Sequence, residues 1–331
     1  MIIGTRDPRG ASTSVGAVVQ REWRDVLDSE LSADVVGLID AAVAADRVSP
    51  VSDHVRLRLR PDVEPAPELS RHLLVRDADG RLAGYAHLEP GSGDAPAVAE
   101  LVVRPELRRR GFGAALVDGL VALAPGRDAL RIWTHGAHPG AVRLAERYGF
   151  RQVRALWRMR MEFDEPLAAP SLPEGVRLRP FVVDQDESAV VEVNNRAFSW
   201  HPEQGGWTVA DVRAREAEPW FDPAGFLLAV RTTGNGENGG DAAAGERLVG
   251  FHWTKVHADE EPIGEVYVLG VDPDAQGGGL GKALTLAGLH HLRAAGLPAV
   301  MLYVESDNAP AIAVYQRLGF RHWDTDAQYA R

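Results

Sequence analysis

The chain repeats a segment of its own sequence once, at a distance close to half its length. Residues 99–124 (AELVVRPELRRRGFGAALVDGLVALA) resemble residues 266–296 (VYVLGVDPDAQGGGLGKALTLAGLHHLRAAG) at an offset of 168. Further along, Tyr148-Gly149-Phe150 matches Leu318-Gly319-Phe320 at an offset of 170. Because the repeats of solenoid proteins recur every ~20–50 residues, a period this long indicates a duplicated domain.

The duplication sets the expected domain organisation of the 331 residues. We expect an N-terminal domain over residues 15–163 and a C-terminal domain over residues 176–331. The proline-rich stretch between them, DEPLAAPSLPEG at 164–175, is typical of a linker. A second stretch rich in glycine and acidic residues, TTGNGENGGDAAAGE at 232–246, predicts a hairpin loop inside the C-terminal domain.

Both copies have the same order of predicted elements. A short β-branched run (101–103 and 266–271) predicts a strand, and a glycine-rich turn and an amphipathic helix follow it. A second strand (130–133 and 299–304) and a second helix come next, and a glycine stands where that helix should end. This alternation predicts an α/β fold in which each domain is a mixed, twisted sheet flanked by helices.

Composition excludes several classes of function. The chain contains no cysteine, which rules out disulfides, thiolate-bound zinc and a cysteine nucleophile, and no metal site is expected. A net charge of -11 argues against nucleic acid as the main partner. No apolar run is long enough to span a membrane, and the N-terminal residues lack the apolar core of a secretory signal, so we expect a cytoplasmic protein.

The turns after the first predicted strands favour anion binding. Residues 108–114 (RRRGFGA) and 276–282 (QGGGLGK) each connect a strand to a helix. Glycines allow the backbone to approach an anion, and the unpaired N–H groups of the helix N-terminus complete a site for a pyrophosphate. Neither loop has the GxxxxGK[ST] pattern of a P-loop or the Rossmann GxGxxG pattern. The string GNGENG at 234–239 does fit GxGxxG, but no helix is predicted to follow it.

The pattern R/Q-x-x-G-x-G/A of both loops resembles the acetyl-CoA motif of the GNAT superfamily of N-acetyltransferases, and the resemblance covers both halves. It implies that the strand before each loop pairs with the pantetheine arm and that a later helix flanks the CoA thiol. The C-terminal acetyl-CoA contacts implied are Leu269, Gly270, Val271, Gln276, Gly277, Gly278, Gly279, Leu280, Gly281, Lys282, Asn308, Ala309, Pro310, Ala311, Ile312 and Ala313. The second set is Leu101, Val102, Val103, Arg109, Arg110, Gly111, Phe112, Gly113 and Ala114.

Acetyl transfer to an amine needs a group that takes a proton from the amine and a group that protonates the leaving thiolate. Glu265, four residues before Leu269, is our candidate base. Tyr315 lies seven residues after Asn308 on the same predicted helix face, and a tyrosine in this position of SDNxxAxxxYxxxGF commonly protonates the CoA sulfur in GNAT enzymes. The alternatives are a solvated carboxylate at the end of a strand and a tyrosine that merely packs in the core.

The N-terminal copy lacks both candidates. At the two offsets Glu265 corresponds to Ala97, Tyr315 to Ala145 and Asn308 to His138. The loop is present without the acid and the base. We therefore expect the first domain to bind CoA or to support the fold, but not to catalyse.

Four longer motifs resemble one family within the GNAT superfamily. The strings HPEQGGWT, GFHWTKVH, GEVYVLGVDP and LYVESDN, together with the tandem arrangement, resemble the mycothiol synthases (mycothiol acetyltransferases) of actinobacteria. That family acetylates the cysteinyl amine of a cysteine–glucosamine–inositol pseudodisaccharide. The resemblance implies substrate contacts at Asp53, Glu203, Lys255, Glu265 and Tyr303. Asp53 stands where the family more often has Glu, and Gly277-Gly278 replaces a usual basic pair, which predicts weaker CoA binding.

Two other functions stay open from the residues. One is a GNAT enzyme that acetylates a different small amine or a protein N-terminus. The other is a non-catalytic acetyl-CoA-binding regulator. The presence of Glu265 and Tyr315 in one copy alone argues against this second function. A monomer acting on a small molecule, away from membranes, is expected.

Overall fold

The structure of the chain is a computed structural model. The structure describes residues 20–60, 70–91, 93, 95–124, 126, 128–136, 138–199, 204–232, 245–258 and 262–331. These residues form two compact units. Unit 1 contains the described residues up to Gln152 together with Gln328–Arg331, and unit 2 contains Val153–Ala327.

In the described part of unit 1, a strand and two helices precede an antiparallel ladder of strands. Its elements are β1 (Gln20–Arg24), α1 (Ser29–Asp46), α2 (Asp53–Arg58), β2 (Arg71–Arg76), β3 (Leu82–Glu89), β4 (Ala97–Val103), α3 (Phe112–Leu123), β5 (Leu130–Thr134) and α4 (Pro139–Arg147). The strands lie in the order β1-β2-β3-β4-β5. Only β4 and β5 run parallel, so the sheet is mixed.

Unit 2 has the same order of elements after its first strands. Its elements are β6 (Arg151–Glu162), β7 (Val176–Pro180), α5 (Glu187–Ala197), α6 (Val209–Glu216), β8 (Phe226–Thr232), β9 (Glu246–His257), β10 (Ile263–Val271), α7 (Leu280–Ala294), β11 (Ala299–Glu305), α8 (Ala309–Arg317) and β12 (Arg321–Ala330). The strand order is β12-β6-β11-β10-β9-β8-β7, in which β10 and β11 are parallel.

The boundary between the units differs from the expected linker. Residues 164–175 lie within unit 2, and the division falls between Gln152 and Val153. The strand that follows the first Gly-Phe, β6, pairs antiparallel with β11 over seven residues, from Leu156 to Glu162. Its alternate side chains Met159 and Met161 are buried in the core of unit 2, which explains why it belongs there.

Each sheet is covered on both faces. In unit 1, Val35, Leu38 and Ile39 of α1 pack on one face, and Phe112, Leu116 and Leu120 of α3 pack on the other. In unit 2, α5 and α6 cover one face through residues such as Val193 and Val212, and α7 and α8 cover the other through residues such as Leu289 and Ile312. The predicted α/β fold with mixed sheets flanked by helices is confirmed.

A glycine ends the last helix of each unit as predicted, Gly149 after α4 and Gly319 after α8. Gly149 and Gly319 have φ values of +71° and +102°, in the left-handed region that glycine adopts without strain. The N–H of Phe320 then donates to the carbonyl of Tyr315 at 3.0 Å, which closes the end of α8. No helix among the described residues is long and apolar enough to cross a membrane.

Candidate active site

The two parallel strands of unit 2 separate partway along their length. The ladder between β10 and β11 has three paired positions, Gly264↔Val300, Glu265↔Met301 and Val266↔Leu302. Strand β10 then continues to Val271 and β11 to Glu305 without further paired positions in that register. Leu269–Val271 therefore lie along the opening, where the backbone edge of β10 facing β11 is available to a ligand.

A β-bulge marks the point of separation. On its other edge β10 pairs with β9, and the register shifts between Val266 and Val268, so that Tyr267 is the extra residue. A bulge bends its strand and increases the local twist. The bend starts where β10 separates from β11, and it explains why the two strands open at this point.

Glu265 lies one residue before the last paired position, with its side chain on the face covered by α5 and α6. Its neighbour Val266 packs with α7 and α8, and successive side chains of a strand alternate between faces. The Glu265 residue is 5% exposed. Oε2 of its carboxylate is 2.6 Å from Nε2 of His257 on β9. A carboxylate thus stands beside the opening of the strands, held by an imidazole.

Lys255 is directly opposite Glu265 in the β9–β10 ladder. It is buried, and its ammonium nitrogen lies 5.0 Å from the ring centroid of Trp220 and 5.4 Å from that of Tyr267. A cation over two partly buried aromatic rings is attracted by their quadrupoles, each contact contributing on the order of 0.5–2 kcal/mol. The Tyr267 hydroxyl in turn accepts a hydrogen bond from Nε of Arg215 at 2.9 Å. This arrangement fixes a positive charge beside Glu265.

Tyr303 is on the same face of the sheet, two residues beyond Met301 on β11. It is directly opposite Arg158 of β6 and 41% exposed. Arg158 pairs with the carboxylate of Asp324, and its guanidinium carbon lies 4.8 Å from the ring centroid of Trp323. The face that carries Glu265 therefore continues into a polar, partly exposed surface of phenol, guanidinium and carboxylate groups.

The glycine-rich loop of unit 2 precedes α7 as the sequence predicts. Gly277 and Gly279 have φ values of +90° and +81°, and Gly279 caps the N-terminus of α7 without a side-chain hydrogen bond. The two left-handed residues turn the chain sharply after the short 3₁₀ helix Pro273–Ala275. The first N–H groups of α7 have no intrahelical acceptor, so this end of the helix suits an anion such as a pyrophosphate.

Helix α8 is on the opposite face of the sheet from Glu265. The Asn308 side chain accepts from the N–H of Ala311 at 3.2 Å and caps α8. Tyr315 is partly buried on this helix, where it packs with Leu269 against one hydrophobic cluster and its ring meets Phe320 at 5.8 Å. Burial raises the pKa of Tyr315 to about 12, so its phenol is protonated at neutral pH. The two candidates thus lie on opposite faces of the sheet that opens between β10 and β11.

Unit 1 opens in the same way. Its parallel ladder also has three paired positions, the last being Ala99↔Ile132, while β4 continues to Val103. No register shift occurs between β3 and β4, so the residue that pairs like Glu265 is Val98, paired with Arg131, and not Ala97 as the sequence offset indicates. The bulge at Tyr267 accounts for this one-residue difference. Either residue is apolar, so the conclusion that unit 1 lacks this carboxylate stands.

The loop of unit 1 has left-handed residues at the same positions as the loop of unit 2, but its side chains differ. Arg109 has φ of +65° and Gly111 has φ of +95°, at the positions of Gly277 and Gly279. Arg109 and Arg110 are exposed, and Gly111 caps α3 before Phe112. Arg108 instead makes a bidentate contact with Asp46 of α1 at 2.8 and 2.5 Å. Two arginines therefore remain at the surface of the loop to meet an anion.

A different carboxylate, Glu100, is buried beside the opening of unit 1. Oε2 of Glu100 accepts the N–H of Ser52 at 2.6 Å and lies 3.4 Å from Nε2 of His135. Burial raises the pKa of Glu100, but contacts with His135 and Ser52 outweigh burial and hold it below its usual range. The sequence comparison missed this group because it has no equivalent in unit 2, where Val268 stands.

The geometry of unit 2 does not test two of the sequence-predicted substrate contacts. Asp53 is the first residue of α2 in unit 1, directly after Ser52. Glu203 lies outside the described residues. The remaining members of the cluster that sequence reasoning missed are His257, Tyr267, Trp220 and Arg215. The alternation of β9, in which Lys255 and His257 share a face, was the signal that could have identified His257. Among the described residues, no group of three histidines and carboxylates is placed to hold a metal ion.

The sequence matches one family twice, the Acetyltransferase (GNAT) family, over residues 44–150 and 193–320. It is 55% identical over 310 residues to a mycothiol acetyltransferase of Actinosynnema mirum, an alignment that covers 93% of this chain and 98% of the relative. A mycothiol acetyltransferase of Saccharopolyspora erythraea is 51% identical over 89% of this chain and 100% of its own length.

Solved structures agree with the fold. A GCN5-related N-acetyltransferase from Sphaerobacter thermophilus superimposes with a TM-score of 0.60 at 25% identity, covering 94% of this chain and 95% of that one. A tandem GNAT protein from the clavulanic acid biosynthesis pathway gives a TM-score of 0.67 at 22% identity over 95% of this chain and 98% of its own. The chain is therefore an N-acetyltransferase of the GNAT family, and within that family it belongs with the mycothiol acetyltransferases.

Proposed function

We propose that the chain transfers the acetyl group of acetyl-CoA to the cysteinyl amine of a cysteine–glucosamine–inositol pseudodisaccharide and so forms mycothiol. The observation that carries this proposal is the buried carboxylate of Glu265 at the opening between β10 and β11, in a chain about half identical to named mycothiol acetyltransferases. The name of these relatives supplies the acceptor, and the geometry of unit 2 supplies the chemistry.

The groups of unit 2 fit acetyl-CoA. The unpaired edge of Leu269–Val271 suits the amide groups of a pantetheine arm, and the turn of Gly277 and Gly279 with the N-terminus of α7 suits a pyrophosphate. Backbone groups from Gln276 to Lys282 and the first turn of α8, Asn308–Ala313, complete the proposed contacts. When bound, acetyl-CoA supplies the activated acetyl group.

In this proposal Glu265 takes the proton from the acceptor ammonium so that the amine can attack. A backbone N–H near Leu269 donates to the acetyl carbonyl oxygen as negative charge develops on it. Tyr315, protonated at neutral pH, gives its proton to the departing CoA sulfur from the other face of the sheet. Glu265 therefore acts from one face of the sheet and Tyr315 from the other.

The acceptor would lie on the α5/α6 face. Lys255 and Tyr303 offer an ammonium and a phenol close to Glu265, and such groups suit a polyhydroxylated ligand. Asp53 and Glu203 remain proposed contacts on the basis of the family resemblance alone. We further propose that Leu101–Val103 and Arg109–Ala114 bind a second acetyl-CoA in unit 1 without catalysis, because Glu100 there is already engaged by Ser52 and His135.

The test is direct. The purified protein is incubated with acetyl-CoA and the cysteinyl-glucosaminyl-inositol amine, and the acetylated product is followed by mass spectrometry. Acetylation of this amine, with little transfer to glucosaminyl-inositol or to N-terminal peptides, supports the proposal. Preferred transfer to a peptide would support acetylation of a protein N-terminus, and no transfer to any amine with normal acetyl-CoA binding would support a regulator.

A further inference from the structure

The carboxylate of Glu265 has two oxygens, and one of them is committed within the protein. Its Oε2 is 2.6 Å from Nε2 of His257, a length typical of a charge-assisted hydrogen bond. The Glu265 side chain is 6% exposed and that of His257 is 24% exposed. His257 is the more exposed partner of the pair, and Oε1 is the oxygen that remains for an acceptor.

The strand register explains how the contact forms. On β9, Lys255 and His257 project to the same face, with Lys255 opposite Glu265 and His257 opposite Ile263. His257 is thus the diagonal neighbour of Glu265, within reach of a long side chain. Lys255 extends toward the rings of Trp220 and Tyr267. His257 forms a hydrogen bond from β9 to the Glu265 carboxylate.

We propose that His257 is a positioning residue for acetyl transfer: its Nε2–H donates to Oε2 of Glu265 and turns Oε1 toward the opening between β10 and β11. This inference rests on the proposed function, in which Glu265 is the base. The residue acts through Glu265 and does not touch the reacting atoms.

The test uses two amide replacements of His257. In His257→Gln the amide nitrogen can occupy the place of Nε2 and still donate to Glu265, whereas in His257→Asn it ends one bond short. We expect His257→Asn to lower kcat by ~10²-fold with an unchanged KM for acetyl-CoA, and His257→Gln to recover most of that loss. Equal rates for the two variants, whether both normal or both low, would overturn the positioning role.

A second readout does not depend on the acceptor. Crystal structures of the wild type, His257→Gln and His257→Asn give the orientation of the Glu265 carboxylate. We expect Oε2 to keep its contact with residue 257 in the first two proteins and the carboxylate to turn away in His257→Asn. The same orientation in all three proteins would refute the inference even if the enzyme acetylates the expected amine. A changed orientation without any acetylation of that amine would instead refute the proposed acceptor and leave the positioning contact established.

Discussion

Arg109 of unit 1 and Gly277 of unit 2 occupy equivalent loop positions and share a left-handed backbone, with φ values of +65° and +90°. The loop therefore needs this conformation in both units, whichever residue stands there. An arginine in this region carries a steric cost of about 1–2 kcal/mol that glycine avoids. The loop of unit 2 is therefore unstrained and carries less positive charge, whereas the loop of unit 1 is strained and carries more positive charge.

Gly278 is the position at which charge can be restored without strain. Its φ is not in the left-handed region, and an added Cβ would meet Pro173 only at an ordinary contact distance of 3.7 Å. We expect Gly278→Arg to lower the KM for acetyl-CoA severalfold at low ionic strength, with the gain reduced at high salt. Steady-state kinetics at two salt concentrations measure this. Gly277→Arg is the matched control, which should lower the free energy of unfolding by about 1–2 kcal/mol.

Replacing Glu265 tests the base. We expect Glu265→Gln, which keeps the shape of the side chain, to lower kcat by ~10²–10⁴-fold while acetyl-CoA binding is nearly unchanged. Calorimetric titration with acetyl-CoA and initial rates give the two quantities. Glu192→Gln, at an exposed position of α5, serves as a control for changes in surface charge. Near-normal turnover of Glu265→Gln across neutral pH would remove Glu265 from the mechanism.

Replacing Tyr315 tests the acid. Burial raises the pKa of Tyr315 to about 12, so between pH 7 and 10 the wild-type phenol keeps its proton and should impose no loss of rate at the alkaline end. We expect Tyr315→Phe to slow the release of the CoA thiol by ~10²-fold or more in single-turnover experiments. Tyr329→Phe provides a comparison at another tyrosine. If thiol release keeps its wild-type rate constant, Tyr315 only packs in the core.

The buried side chain of His252 leads us to expect a loss of stability in mild acid. It is fully buried on β9, its Nδ1 lies 2.8 Å from the carbonyl of Leu284, and burial lowers its pKa to about 4. Between its unfolded value near 6.5 and about 4, the unfolded chain binds a proton that the folded chain does not, so stability falls as pH falls. We expect this histidine to contribute about 2 kcal/mol to the destabilisation between pH 7 and 5.

Urea titrations of wild type and His252→Asn at the two pH values measure that contribution. The asparagine amide can still donate to the Leu284 carbonyl but does not titrate, so the variant should lose less stability on acidification than the wild type. His290→Asn, at an exposed position of α7, should behave as wild type. The same acid dependence in all three proteins would contradict the assignment to His252.

The sequence predicted the fold class, the two loops and the helix ends because each depends on local chemistry. Glycines at 149, 279 and 319 mark left-handed positions that other residues adopt at a cost, and the β-branched runs mark strands. It also predicted two halves from the repeat. It did not predict that β6 pairs in unit 2, since pairing depends on contacts between residues such as Met159 and Val300 that are far apart in the sequence.

The candidate site was only partly predictable for a similar reason. Motif spacing identifies Glu265, Lys255 and Tyr315 singly, but not the contact of Glu265 with His257, which depends on the register of β9 against β10. The bulge at Tyr267 shows the same limit, because it moves the structural equivalent of Glu265 from Ala97 to Val98.

The pairing of β6 with β11 has a practical consequence for dissecting this protein. A truncated protein that begins after the proline-rich stretch, at residue 176, would contain Glu265 and Tyr315 yet lack the seven paired residues that cover one side of β11. Its exposed strand would offer free N–H and C=O groups to any other chain, a recognised route to aggregation. Isolating unit 2 in soluble form therefore requires a start no later than Val153.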